Sequence, residues 1–244
     1  MFCLSVGEKN WAKVLEVIKQ NCQLTNLFEI RLDYLEEEVS ERRIAVFFEE
    51  IKDYETSCGF VQGLRFIFTF RHAYEGGKRE IPEEERLKVL RYCLDIGADL
   101  VDLEWQALKR YIKKEGKLPF SLEKTLVSFH DFRKTPSDKV LKGMLRRMSE
   151  VGVSKAKVVC YSDKPEDGVR LLSLIPYGKR LGMDVVAFGM GDKLSWTRVV
   201  SLVLGSPFTY VTQDKGNGTA PGQLSISLAK KLYEGLAGCI RSTV

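Results

Sequence analysis

The chain has 244 residues, 44% of them hydrophobic and 29% charged, with a net charge of +5. This is an ordinary balance for a soluble globular protein, and the mild basic excess suits an anionic small molecule while falling far short of a nucleic-acid-binding composition. No run of about 20 apolar residues occurs, which excludes a helical membrane span, and residues 1–6 lack the basic segment and long apolar run of a signal peptide. The six cysteines, Cys3, Cys22, Cys58, Cys93, Cys160 and Cys239, are scattered with no Cys-x-x-Cys pair. They read as reduced core thiols of a cytoplasmic protein, not as a zinc site or a disulfide framework.

Strand-like and helix-like segments alternate along the whole chain. Residues 2–6 read as a short first strand, and residues 11–22 as a helix with apolar Trp11, Val14, Leu15 and Ile18 on one face. Residues 27–33 form a second strand, in which alternation puts Glu29, Arg31 and Asp33 on one side. A charged amphipathic helix follows over 39–57, then a third strand over 64–71. The next helix, 82–96, has a proline at its start and Gly97 at its end. Strand four is 99–105, with a helix after it to about residue 115. Strand five, 125–132, is an apolar run that ends by presenting His130, one of only two histidines. Helix 137–151 closes at Gly152. There follow strand six at 155–161, a helix over 165–177, strand seven at 183–188 and a helix over 195–204. Strand eight spans 208–212 and, after a Gly-rich loop, the last helix spans 223–240.

Strands alternating with helices through short connections predict parallel strands joined by crossovers. Eight such units in a chain of this length predict a single (β/α)8 TIM barrel domain over residues 1–244. A doubly wound open sheet is the alternative, although no Gly-x-Gly-x-x-Gly follows the first strand. In a barrel, chemistry sits at the carboxyl ends of strands and in the loops beyond them. Those positions hold Glu29, Arg31, Arg71, Glu75, Asp102, Glu104, His130, Lys157, Arg198 and the segment Thr219-Ala220-Pro221-Gly222-Gln223. Each has a bland reading: Glu29 and Arg31 pair with each other, Arg71 is a surface charge, Lys157 is one solvated lysine among many. Taken together they form an ionic set that is costly to bury unless its members pair or hold a ligand. Three arginines and a lysine at one mouth suit an anionic, hydroxyl-rich molecule.

Lys157 and His130 together suggest carbon-acid chemistry next to a carbonyl. A lysine nucleophile must be neutral to attack a ketone. From an ordinary pKa of about 10.4 that requires a fall to roughly 7, on the order of 4 kcal/mol, which burial and neighbouring cations promote. A histidine can take and return a proton near neutrality.

The segments Glu29-Ile-Arg31-Leu-Asp33, Thr69-Phe-Arg71-His-Ala-Tyr-Glu75-Gly-Gly77, Asp102-Leu-Glu104 and Ser128-Phe-His130-Asp-Phe132 occur in that order. They continue with Lys157, Met190-Gly191 through Thr197-Arg198, and Ala220-Pro221-Gly222-Gln223. The ordered set resembles the type I 3-dehydroquinate dehydratases of the shikimate pathway. The resemblance implies that Lys157 forms an imine with the substrate ketone. His130 then removes the adjacent proton and protonates the departing hydroxyl, with Glu75 orienting it. Arg198 and Gln223, with Thr219 nearby, hold the substrate carboxylate, and Glu29, Arg31 and Arg71 bind ring hydroxyls. It implies no metal and no organic cofactor, a small-molecule substrate as the partner, and a homodimer as the common family assembly. It also implies that glycines at 216–218 let the last loop close over substrate. Three positions depart from the family pattern: Thr219 replaces a serine, Leu194 stands where glycine is common, and Phe129 precedes the histidine where a polar residue is frequent. Two other readings stay open, a Schiff-base aldolase and a non-catalytic anion-binding barrel.

Overall fold

The computed structural model describes residues 1–58, 63–215 and 218–241. Residues 3–126 pack as one body, and residues from 127 onward, with Met1 and Phe2, as another. The first body holds β1 (Phe2–Val6) from its second residue on, α1 (Trp11–Asn21), β2 (Leu27–Arg31), α2 (Glu41–Cys58), β3 (Arg65–Thr69), α3 (Glu83–Asp95), β4 (Leu100–Glu104) and α4 (Trp105–Glu115). Its strands are parallel and adjacent in chain order.

Paired residues on neighbouring strands share a face, so the register sorts side chains. Ser5 pairs with Glu29, Arg31 with Thr69, and Thr69 with Asp102, which makes one face polar. The opposite face carries Leu4, Phe28, Ile30, Phe66, Phe68 and Val101, all buried. Helix α2 covers that apolar face. Phe47 lies edge-on to Phe66 and Phe68 at 5.6 and 5.9 Å between ring centroids, Phe48 stacks on Phe68 at 5.6 Å, and Trp11 of α1 closes on Phe47 at 5.4 Å. Each such aromatic pair adds about 0.5–1.5 kcal/mol beyond the area it buries. Packing behind the sheet therefore leaves the polar face free to carry chemistry.

The second body contains β5 (Thr125–Asp131), α5 (Asp138–Glu150), β6 (Lys155–Tyr161), α6 (Pro165–Leu172), α7 (Leu174–Arg180), β7 (Asp184–Met190), α8 (Trp196–Val203), β8 (Thr209–Val211) and α9 (Ile226–Arg241). Strands β5, β6 and β7 are parallel and again adjacent in chain order. Neither run of strands contains the reversal of order that defines a doubly wound sheet.

The expected elements are all present, with two instructive differences. The single helix expected over 165–177 is two, because Pro176 has no N–H to return to the carbonyl of Leu172 and the helix breaks at Ser173. Short 3-10 turns, which periodicity does not reveal, follow β2 (Leu32–Tyr34), β3 (Ala73–Glu75) and β7 (Asp192–Leu194). These turns place Asp33, Glu75 and Leu194 beyond strand ends. Four of the cysteines are buried, whereas Cys58 and Cys239 are exposed and so are not core thiols. Among the described residues no helix is long and apolar enough to cross a membrane. None of their His, Cys, Asp and Glu side chains are grouped to hold a metal ion.

Candidate active site

In the first body, the polar face ends in a network of buried ions. The Arg71 side chain is 3% exposed, with Nη2 2.7 Å from Asp102 Oδ2 and Nη1 3.0 Å from Glu104 Oε1. Glu104 also accepts from the His72 backbone N–H at 2.9 Å and pairs through Oε2 with Arg86 Nη1 at 2.7 Å. Arg86, buried on α3, binds the Phe70 carbonyl and Glu83 as well. Arg31 forms a two-pronged pair with Asp33 at 2.9 and 2.8 Å, and Asp33 accepts from the Lys78 backbone at 3.2 Å. Glu29 accepts the hydroxyls of Ser5 at 2.5 Å and Thr69 at 2.8 Å. Arg31 takes its two-pronged pair with Asp33, because the turn after β2 brings Asp33 back alongside, and the charge of Glu29 also acts on Arg31. Arg71 is no surface charge. Glu75 is buried and its charge acts on Arg71.

The electrostatics follow the pairing. Burial alone would push the Arg71 guanidinium down, but the carboxylates of Asp102 and Glu104 hold it well above its ordinary value. Burial likewise opposes the charge on Glu104, yet Arg71 and Arg86 keep its carboxyl below the usual range. For Arg31, burial is outweighed by Asp33 and the direction is upward.

The second body puts two of the other expected residues, His130 and Lys157, on one face. Ser128 pairs with Lys157 and Lys157 with Val186; His130 pairs with Val159 and Val159 with Phe188. His130 and Lys157 therefore point to the same side of adjacent strands, as diagonal neighbours. Lys157 is 6% exposed, and its Nζ lies 4.0 Å from the centroid of the Tyr210 ring on β8. His130 is half-buried and stacks on Phe132 at 6.4 Å. Phe129, half-buried, takes the opposite face.

Arg198, on α8, is 1% exposed. Its guanidinium donates to the carbonyls of Gly222 at 3.0 Å, Pro221 at 3.3 Å and Tyr210 at 3.5 Å, and lies 4.3 Å over the Phe188 ring. None of these partners is a carboxylate, and burial pushes the group down to about 9. It is still a cation at neutral pH. The Thr219 N–H donates to Gln223 Oε1 at 2.8 Å and its hydroxyl reaches the same oxygen at 3.3 Å, while Gln223 Nε2 donates to the Val211 carbonyl at 3.1 Å. The hydroxyl of Thr219 is thus kept in place of serine's. At Gly222 (φ 68°), a Cβ would lie 2.4 Å from the Gly191 carbonyl oxygen, so only glycine lets the two loops meet. Of the glycines expected to serve loop closure, 216 lies, with Asn217, outside the described residues.

Leu194, the departure from glycine, is fully buried. Its side chain fills the space beside Gly189, where a Cβ would lie 2.3 Å from Leu194 Cδ1, and it reaches Gly168 on α6. Two glycines make room for one leucine, and the turn before α8 is packed rather than loosened.

Sequence reading did not single out Arg86, Phe188 or Tyr210. A signal existed for the first: Arg86 sits on the stripe of Leu90, Cys93 and Leu94, where a charge is out of place. Phe188 and Tyr210 looked like ordinary strand aromatics, and only their placement under cations distinguishes them.

Residues 2–238 match the family described as Type I 3-dehydroquinase. The 3-dehydroquinate dehydratase of Methanothermobacter thermautotrophicus is 31% identical over 231 residues, covering 94% of each chain. The crystal structure of the type I 3-dehydroquinate dehydratase of Clostridium difficile superposes with a TM-score of 0.78 at 21% identity, over 96% of this chain and 91% of that one. The Geobacillus kaustophilus 3-dehydroquinate dehydratase gives 0.77 at 24% identity, over 97% and 91%. The fold is accordingly of the (β/α)8 barrel class, and the chain belongs to the type I 3-dehydroquinase family.

Proposed function

We propose that this chain removes water from 3-dehydroquinate to give 3-dehydroshikimate through an imine on Lys157, with His130 as the acid and base. As a member of its family it is a hydro-lyase of the shikimate pathway, and the bond broken joins carbon to oxygen rather than carbon to carbon, as in an aldolase. The observation that carries the mechanism is the placement of a buried lysine and a histidine on one face of adjacent strands.

The neutral Lys157 amine attacks the ketone carbon, and the carbinolamine loses its oxygen as water. The resulting protonated imine is an electron sink that acidifies the neighbouring C–H. His130 takes that proton; electrons flow toward the imine nitrogen and return to expel the hydroxyl one carbon further on. His130 gives the proton to that departing oxygen, and water then hydrolyses the imine. The net change is loss of one water molecule. Glu75 is assigned to support the base. Arg198, a buried cation bound by carbonyls, takes the substrate carboxylate as its counter-charge, with Gln223 and Thr219 beside it. Glu29, Arg31 and Arg71 are assigned to the ring hydroxyls.

Borohydride trapping tests this directly. The protein is incubated with 3-dehydroquinate, reduced, digested and mapped by mass spectrometry. A substrate- or product-sized adduct on Lys157 is expected. Turnover without that adduct would discard the imine and keep the reaction; neither turnover nor adduct would discard the dehydratase reading.

A further inference from the structure

Tyr210 meets two buried cations of the second body, Lys157 and Arg198. Its ring lies 4.0 Å from Lys157 Nζ, and its carbonyl accepts from Arg198 Nη1 at 3.5 Å. Tyr210 is 3% exposed, and its ring packs against Phe208 at 5.5 Å and Phe188 at 6.2 Å. Phe188 in turn lies under Arg198. A cation within about 6 Å of an aromatic face is attracted by the ring quadrupole, most strongly where water is excluded.

We infer that Tyr210 is a positioning residue for Lys157, its ring holding the lysine nitrogen by positive charge and so favouring the protonated imine over the free amine. The inference rests on the imine chemistry proposed above. The nitrogen is cationic in an ammonium and in the protonated imine, and neutral in the attacking amine and the carbinolamine. As the C–N bond forms and the ketone oxygen leaves as water, the nitrogen regains its charge over the same ring. The ring therefore restrains the first step and stabilises the intermediate from which the proton is removed. Removing it shifts the two in opposite directions, which mere loss of packing does not.

Three variants test this: Tyr210→Leu removes the ring, Tyr210→Phe keeps it, and a polyfluorinated phenylalanine at the same position keeps its shape while weakening its quadrupole. Lys157 is labelled with trace acetic anhydride across a pH series without substrate and quantified by peptide mass spectrometry. Relative to the wild type, Tyr210→Leu and the fluorinated ring are expected to label roughly 2- to 30-fold faster at pH 7, with the pH of half-maximal labelling moved down. Their kcat on 3-dehydroquinate is expected to fall, while Tyr210→Phe labels like the wild type. Unchanged labelling in both altered variants, or labelling and kcat falling together, would overturn the inference. If Tyr210→Leu does not fold by circular dichroism, the fluorinated ring decides. A wild type that neither turns over nor traps 3-dehydroquinate would overturn the dehydratase reading and the imine clause with it, while the labelling comparison would still decide the ring contact.

Discussion

Arg71 and Arg198 are both buried arginines, held in different ways. Arg71 sits between two carboxylates, whereas the partners of Arg198 among the described residues are carbonyls and a ring. A charge-assisted hydrogen bond contributes about 1.5–3 kcal/mol. Arg198→Gln is therefore expected to raise KM for 3-dehydroquinate by roughly 10- to 150-fold with a smaller change in kcat. Steady-state kinetics check this, and an unchanged KM would remove Arg198 from the carboxylate site. His130→Ala is expected to keep a borohydride-trappable adduct on Lys157 while kcat falls by about 10²- to 10⁴-fold. Loss of the adduct in a folded variant would make the histidine essential to imine formation instead. At this scale the residue types were legible in the sequence and their partners were not. Alternation puts Glu29, Arg31 and Asp33 on one side of a strand, but nothing in it says that a 3-10 turn pairs Arg31 with Asp33 or that Glu29 accepts the hydroxyls of Ser5 and Thr69.

Helix α3 shows what an element adds to its residues. It buries Leu87, Leu90, Cys93 and Leu94, and it delivers Arg86 to Glu104 and the Phe70 carbonyl. Arg86→Met should strip Glu104 of one of its two guanidinium partners and leave the carbonyl without this donor. Breaking a buried ion pair by removing one partner costs about 3–5 kcal/mol. Urea denaturation is expected to show a loss of that order; a loss under about 1 kcal/mol, the value of a surface pair, would mean that the network is not tightly coupled. Elements themselves were readable because apolar spacing switches cleanly between strand and helix along the chain. The break at Ser173 is not marked by apolar spacing; it follows from Pro176, whose missing N–H and crowding ring divide the segment.

For the molecule as a whole, the buried network links stability to acid. The folded-state carboxyl of Glu104 is held below its ordinary value. The stability it contributes is therefore present above the unfolded value of about 4.3 and lost as pH falls through the lower folded value. Urea midpoints are expected to be insensitive to this group between about pH 5 and 7 and to fall below about pH 4. Glu104→Gln is expected to be less stable at neutral pH and to have a shallower acid limb, since one proton fewer is taken up on unfolding in acid. An acid limb of unchanged slope in that variant would place the proton uptake on other groups. The barrel class was legible at this scale from strand–helix alternation alone, and the order of the motifs pointed to the family that residues 2–238 match. The counter-charges were not legible, because they depend on which strand ends and turns come together.

The fit of Leu194 against Gly189 and Gly168 also bears on which substitutions this chain can accept, and in what sequence. With leucine at 194, a methyl group at 189 meets side-chain atoms at 2.3 and 2.6 Å. Gly189→Ala should be poorly tolerated alone and much better tolerated after Leu194→Gly, although each single change is unfavourable. A double-mutant cycle on thermal stability should give a coupling of about 1–3 kcal/mol in that direction. A route that makes both changes, Gly189→Ala and Leu194→Gly, then has a required order, with position 194 changing before position 189.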